Sequence, residues 1–304
     1  MNSSSLSSSF ARALQAAQDA AGAQQHPTHT LYVVATPIGN LADIGLRALH
    51  VLGLADAIAC EDTRHTQQML RAYGLERPAL LAVHQHNEQE AAQTVLERLT
   101  QGQRVAYVSD AGTPAISDPG ARLVQAVRAA GFRVMPLPGA SSVTTLLSAA
   151  GMTGDGFVFT GFLPSKNAER EQAVQAIAEE GRAVVLLEAP HRIEALAQAL
   201  AALGSRRVTV GRELTKQFEQ IETLDASALP GWLAEKPEHQ RGEFVLVVHD
   251  QPVTASKGEG ERVLRCLLAE LPLKTAVKLA AEISGEPRNA LYEQALLLKK
   301  GSES

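Results

Sequence analysis

The chain has 304 residues, of which 45% are hydrophobic and 20% charged, and its formal net charge is −5. That composition excludes a disordered chain and leaves room for two or three domains around sizeable cores. The acidic balance excludes a protein that coats nucleic acid by bulk attraction, but not one with a local basic groove.

Aromatic residues make up only 4% of the chain, so Ala, Leu and Val must fill most of the core. Cys60 and Cys266 offer neither a zinc-ligand spacing nor a disulfide framework. A reducing compartment and no metal are expected. No apolar run is long enough to span a membrane, and the N-terminus lacks a signal-peptide core. A cytoplasmic chain without a membrane partner is therefore expected.

Residues 1–29 are rich in Ser, Gln and Ala and read as a mostly disordered leader, with room for a short helix over 10–21. The apolar run 31–36 (LYVVAT) then ends in a Pro-Ile-Gly-Asn turn. A helix over 44–54, an apolar run over 55–60 and a helix over 63–73 follow. A strand over 79–83, a helix over 88–100 and a strand over 104–109 come next. Then come a helix at 121–130, a strand at 133–137 and a helix at 141–150. Strands alternating with helices at this pitch predict a largely parallel sheet. Their continuous apolar character suits burial on both faces.

The second half has a different rhythm. Strands are expected at 156–160, 183–188, 207–212, 218–224 and 243–249, with helices at 168–180 and 192–203. This predicts a mixed sheet. Residues 250–260 (DQPVTASKGEG) read as a linker, and 262–271, 274–284 and 287–300 as three short helices. The expected fold class is α/β: two α/β domains, at 30–150 and 151–250, plus a C-terminal helical module within 251–304.

Four Gly- and Pro-rich loops stand out: Thr36-Pro37-Ile38-Gly39-Asn40, Ser109-Asp110-Ala111-Gly112-Thr113-Pro114, Ser117-Asp118-Pro119-Gly120 and Leu137-Pro138-Gly139-Ala140-Ser141-Ser142. Ligands of open parallel sheets bind outside the carboxyl ends of the strands. One such loop reads best as a plain tight turn; three at successive strand ends read as a binding site. No dinucleotide fingerprint or P-loop is present, and no Lys or Arg lies in the four loops. Their carboxylates and hydroxyls suit an uncharged or zwitterionic, adenosine-like ligand, and S-adenosylmethionine is one that fits.

Glu61-Asp62-Thr63-Arg64-His65 closes the second strand. Glu61, Asp62, Arg64 and His65 there are placed to act on a polar substrate, or Asp62 or Thr63 caps the following helix with Glu61 near its positive end. Arg212-Glu213-Leu214-Thr215-Lys216 ends a later strand, with cations for phosphate or a solvated strand end. His84, His86 and Asn87 look like a metal cluster, but without acids at ligand spacing they read as a polar loop.

Eight blocks in order carry a resemblance: VATPIGNLADI (34–44), CEDTRHT (60–66), VSDAGTPAISDPG (108–120), PLPGASS (136–142), FTGFLPSK (159–166), EAPHR (188–192), GRELTKQFE (211–219) and GEFVLVV (242–248). With these the chain resembles the tetrapyrrole-methylase-like family of S-adenosylmethionine-dependent methyltransferases, in its branch acting on small-subunit ribosomal RNA. The C-terminal segment is similar to the helix-turn-helix extension of that branch.

The resemblance implies a methyl donor, S-adenosylmethionine, in a cleft between the two domains, and a homodimer. It implies a donor pocket using Pro37, Gly39, Asp110, Ala111, Gly112, Thr113, Pro114, Pro138, Gly139, Ser141 and Ser142. It further implies 2′-O-methylation of a cytidine ribose in the decoding region of small-subunit (16S) ribosomal RNA, within the small ribosomal subunit. Asp62 is the candidate base, with Arg64 or Lys216 positioning the phosphate or oxyanion. Arg64, Arg71, Lys166, Arg170, Arg192, Arg212 and Lys216 are expected to line the cleft mouth. Two competing readings are a small-molecule methylase acting on a tetrapyrrole, and a ribosome assembly factor without turnover.

Overall fold

The computed structural model describes residues 3–75, 78–84, 87–117, 119–154, 156–251 and 259–301. Asp118, His86 and most of the expected linker lie outside the described residues.

The first sheet is built from β1 (Thr30–Val34), β2 (Ala57–Cys60), β3 (Ala79–Ala82), β4 (Arg104–Val108) and β5 (Arg133–Leu137), in the order β3-β2-β4-β1-β5. All its pairings are parallel. Every carboxyl end therefore points to one edge, where ligands of such sheets bind. Alternate side chains serve opposite faces. Tyr32, Ile58, Ala106 and Val108 meet α2 (Leu46–Leu54) and α3 (Thr63–Tyr73), while Leu31, Ala59, Val105 and Tyr107 meet α4 (Glu88–Thr100) and α5 (Ala121–Ala129).

The leader, expected to be mostly disordered with room for a short helix over 10–21, carries a longer helix. Helix α1 (Ser3–Ala21) packs on α2 and α3. Phe10 meets Tyr73 edge-to-face with ring centroids 5.0 Å apart. Ala17 and Ala21 are fully buried. The apolar positions 10, 13, 14, 17 and 21 form one helical stripe, and its alanines let α1 approach closely.

The second sheet runs β6-β7-β10-β8-β9, from β6 (Phe157–Gly161), β7 (Ala183–Glu188), β8 (Arg207–Arg212), β9 (Gln220–Asp225) and β10 (Phe244–Val248). Only β6 and β7 pair in parallel; β10 runs against both β7 and β8, and β9 against β8. One face carries α7 (Asn167–Glu179), α8 (Ile193–Leu200) and α9 (Leu229–Glu235) over Val184, Leu186, Val210 and Leu246. The other face, with Val185, Val245 and Val247, packs against Leu146 of α6 (Ser142–Ala149). Helix α6 follows the last strand of the first sheet, so it joins the two sheets through an apolar layer that also includes Ile38 and Leu214.

Three helices follow: α10 (Glu259–Glu270), α11 (Leu273–Ser284) and α12 (Arg288–Gly301). They close around their own small core of Leu264, Ala276, Val277, Ala280, Leu291 and Ala295. No described helix is long and apolar enough to cross a membrane.

Candidate active site

Three strand ends of the first sheet are tied into one wall. Thr36 and Gly112 exchange backbone hydrogen bonds in both directions at 2.9 Å. The Thr36 hydroxyl donates to the Ser109 carbonyl at 3.2 Å, and the Thr113 hydroxyl to the Ala140 carbonyl at 3.1 Å. Gly139 allows a close approach between the loops after β1 and β5: a Cβ there would stand 2.9 Å from Ala35 Cβ. The loops after β1, β4 and β5 therefore brace one another.

The loop after β2 joins them through a helix cap. Asp62 is the N-cap of α3, and its Oδ1 accepts from the backbone N–H of Arg64 at 2.7 Å and of His65 at 3.4 Å. Those N–H groups, Arg64's above all, hold the Asp62 carboxyl below the usual carboxylate range. The Asp62 N–H in turn donates to Asp110 Oδ1 at 3.1 Å. The two carboxylates are therefore neighbours with different duties: Asp62 caps, and Asp110 holds the cap in place.

The loop after β8 faces them from the second sheet. Lys216 Nζ donates to Glu213 Oε1 at 2.8 Å and to Glu243 Oε2 at 3.2 Å. Burial opposes its charge, but the two carboxylates outweigh burial and hold the ammonium above the ordinary lysine value. Glu213 and Thr215 adopt left-handed backbone, with φ of 52° and 66°. A β-branched residue there is a genuine outlier, and such outliers gather at functional loops. The strand expected at 218–224 starts later, at Gln220, because residues 213–219 form this turn, with the Thr215 N–H bonded to Glu219 Oε2 at 2.6 Å.

Between the two walls lies a cavity of about 910 Å³. Of the residues expected in the site, Pro37, Gly39, Arg64, Asp110, Ala111 and Lys216 line it. Gly112, Thr113 and Ala140 form the bracing layer behind. Asp62, Pro114, Pro138, Gly139, Ser141 and Ser142 are not among the lining residues. Ser141 stands at the N-cap position of α6 but makes no side-chain cap bond. His65, expected with Arg64 at the end of the second strand, lines it too, whereas sequence reasoning missed Gln67, Gln68 and Glu243. Helical spacing from Arg64 was the available signal for the glutamines; nothing in the spacing marked Glu243.

The expected ring of cations at the cleft mouth needs correction. Arg170 and Arg212 are buried. Arg212 donates to the carbonyls of Arg241 and Phe218 and to Gln220 Oε1, so it braces the loop from within. Arg170 bonds Asn167 Oδ1. Arg192 lies 3.0 Å from the fully buried Glu188 carboxylate and bonds the Leu163 carbonyl. Lys166 is exposed and paired with Glu169. The cations lining the cavity are Arg64, Arg71 and Lys216. Among the described residues, no group of three or more His, Cys, Asp or Glu is placed to hold a metal ion.

Residues 30–230 match the model of the Tetrapyrrole (Corrin/Porphyrin) Methylases, and residues 254–299 that of the RsmI C-terminal HTH domain. Ribosomal RNA small subunit methyltransferase I of Pseudomonas aeruginosa is 48% identical over 273 residues, covering 88% of this chain and 96% of that protein. The chain belongs to this family. Ribosomal RNA small subunit methyltransferase I of Escherichia coli O157:H7 is likewise 48% identical, over 88% of this chain and 94% of its own length. Uroporphyrin-III C-methyltransferase from Thermus thermophilus, complexed with S-adenyl homocysteine, shares the fold. Its TM-score is 0.50 at 16% identity, over 72% of this chain and 96% of that one.

As a member of this methyltransferase family, the chain uses S-adenosylmethionine as methyl donor. The cavity fits that group. Its volume lies within the range of small-molecule sites. Its lining joins the Glu243 carboxylate, suited to the ammonium and sulfonium, with apolar Ile38, Leu41 and Met69, suited to the adenine.

Proposed function

We propose that the chain methylates the 2′-oxygen of a cytidine ribose in the decoding region of small-subunit (16S) ribosomal RNA, acting on the small ribosomal subunit or its RNA. In this reading it works in the cytoplasm, as a homodimer. The observation that supports it best is the cavity's composition. Three cations and two carboxylates line one hollow at joined strand ends, in a chain whose relatives carry that enzyme's name over nearly their whole length.

Bound there, S-adenosylmethionine supplies a methyl group on a sulfonium, whose departure needs no proton. The chain's own work is then to orient the ribose and take its hydroxyl proton. Orientation supplies much of the rate in such a transfer. Lys216 and Arg64 place positive charge beside the developing oxyanion. The proton passes to Asp110 rather than to Asp62. Asp110 lines the cavity, and among the described residues only its Oδ1 is taken up, by the Asp62 N–H. Asp62 is committed to its cap, and an acidic carboxyl makes a weak base.

The test is methyl transfer from labelled S-adenosylmethionine to small ribosomal subunits from cells lacking this gene, with the product mapped by resistance to alkaline cleavage. One protected ribose in the decoding region is expected. Donor binding without transfer to subunits or naked RNA would overturn the reading in favour of a small-molecule methylase or an assembly factor.

A further inference from the structure

Helix α3 presents two unlike faces. Thr66, Met69, Leu70 and Tyr73 are buried in the first domain. Arg64, Gln67, Gln68 and Arg71 fall on the opposite stripe at helical spacing, and all four line the cavity. Gln67 is half-buried, and its amide has no hydrogen-bond partner among the described residues. An amide held in a polar hollow without a protein partner is available to a ligand.

Arg71 is also shared with a second hollow, of about 740 Å³, lined by Leu52, Gly53, Ala55, Leu75 and Pro78. The two hollows therefore share one lining residue, Arg71. Along the helix axis Arg64 and Arg71 stand about 10.5 Å apart, far enough to serve different phosphates of one strand. The second hollow is open and mixed in lining, with backbone polar groups beside Leu75 and Pro78, which suits the edge and face of an unstacked base.

We propose that α3 is the strand-recognition helix of this enzyme: Gln67 holds the target nucleotide, Arg71 takes the neighbouring phosphate, and the next base rests in the hollow beside Leu52 and Leu75. The proposal rests on the RNA reading above and adds the path of the strand. Guanidinium groups suit phosphate oxygens by their paired donors. The glutamine amide both donates and accepts, as contact with a base edge or ribose requires.

The test uses the full-length chain, with small ribosomal subunits as substrate and S-adenosylhomocysteine affinity as the control for folding and donor binding. Arg71→Gln should raise KM for subunits about tenfold, at unchanged kcat and donor affinity. It should also shallow the salt dependence of binding to naked small-subunit RNA by roughly 0.7 in log–log slope, one phosphate contact on a single strand. Gln67→Leu should raise KM several-fold with no change in salt slope, since it removes no charge. Gly53→Glu, which places a carboxylate in the second hollow, should raise KM, and Gly53→Ala should not. Arg128→Ala, an exposed charge on α5 outside both hollows, should change nothing.

KM and salt slope unmoved by Arg71→Gln and Gln67→Leu, with the wild-type chain methylating RNA, would overturn the strand path. Loss of donor affinity in either variant would also overturn it, by assigning α3 to the donor. A wild-type chain that transfers nothing to RNA would sink the functional reading instead.

Discussion

The side chain of Lys216 lies across Gly39, so that a Cβ added at Gly39 would stand 2.8 Å from Lys216 Cε. One residue follows a strand of the first sheet and the other a strand of the second. Gly39→Ala is expected to push the ammonium away from Glu213 and Glu243 and to lower methyl transfer at least about tenfold, the effect of roughly one lost charged hydrogen bond. In a Lys216→Ala background the same change should cost far less, because neighbours sharing a contact are not additive. Equal losses in both backgrounds, measured as kcat/KM, would refute the clash.

Asp62 and Asp110 make a second pair with separable roles. Asn caps a helix about as well as Asp. Asp62→Asn should therefore keep most of the stability and activity, while Asp62→Ala should cost about 1 kcal/mol of stability. Asp110→Asn should lower kcat by about 100-fold or more, in the range of general base catalysis, with donor affinity retained. The decisive comparison is kcat at saturating donor for Asp62→Asn and Asp110→Asn. A larger loss in Asp62→Asn would return the base to Asp62.

The parallel sheet was legible because its strands are short, apolar and separated by amphipathic helices, and the binding edge followed from topology. The leader was not. Its stripe of Phe10, Ala13, Leu14, Ala17 and Ala21 is mostly small residues inside a Ser- and Gln-rich stretch, and it becomes a core face only when α2 and α3 are present to receive it. The arginines misled for a different reason. Arg206 shows the pattern at its fullest, donating to the carbonyls of His249, Ile177, Glu180 and Arg182. An arginine that satisfies distant backbone carbonyls looks in sequence like one that awaits a phosphate. The Glu213–Lys216–Glu243 cluster was likewise hidden, since Glu243 arrives from another strand thirty residues on.

The joint between the sheets rests on Leu146, which is fully buried against Gly211. A Cβ at Gly211 would stand 2.7 Å from Leu146 Cδ1. Leu146→Ala should cost about 2–5 kcal/mol by leaving a cavity, and Gly211→Ala about 1–3 kcal/mol by overpacking. Leu146→Ala combined with Gly211→Ala should be less destabilised than the sum, because the smaller side chain makes room for the added methyl. Denaturant unfolding of all four chains tests this, and strict additivity would sink it.

Thr215 carries a second cost besides its left-handed backbone. Its Oγ1 is buried and has no hydrogen-bond partner among the described residues. Thr215→Val keeps shape and branching while removing the orphan hydroxyl, and relief of an unsatisfied polar group is worth about 1–3 kcal/mol. A higher midpoint of urea unfolding is expected. An unchanged or lower midpoint would show that the hydroxyl is satisfied in solution.

His249 sets a pH dependence. Its Nε2 lies 2.7 Å from the Thr209 hydroxyl, which also bonds Thr223 at 2.7 Å. Burial, followed by the nearby Arg207 and Arg206, lowers its pKa against the opposing pull of Asp250. His50 is lowered as well, by burial and then by His26, whose ring centroid is 4.8 Å away. The native imidazoles therefore stay neutral where free ones, with a pKa of about 6.5, take up a proton. Unfolded chains bind more protons as pH falls through that value, so stability is full above it and declines below it, until the lowered native pKa is passed. Tm should fall between pH 7.5 and about 5.5, a window above most carboxylate titrations. His249→Gln, which can still bond Thr209, should flatten that slope. Parallel Tm curves for the two chains would show that His249 titrates alike in the folded and unfolded states.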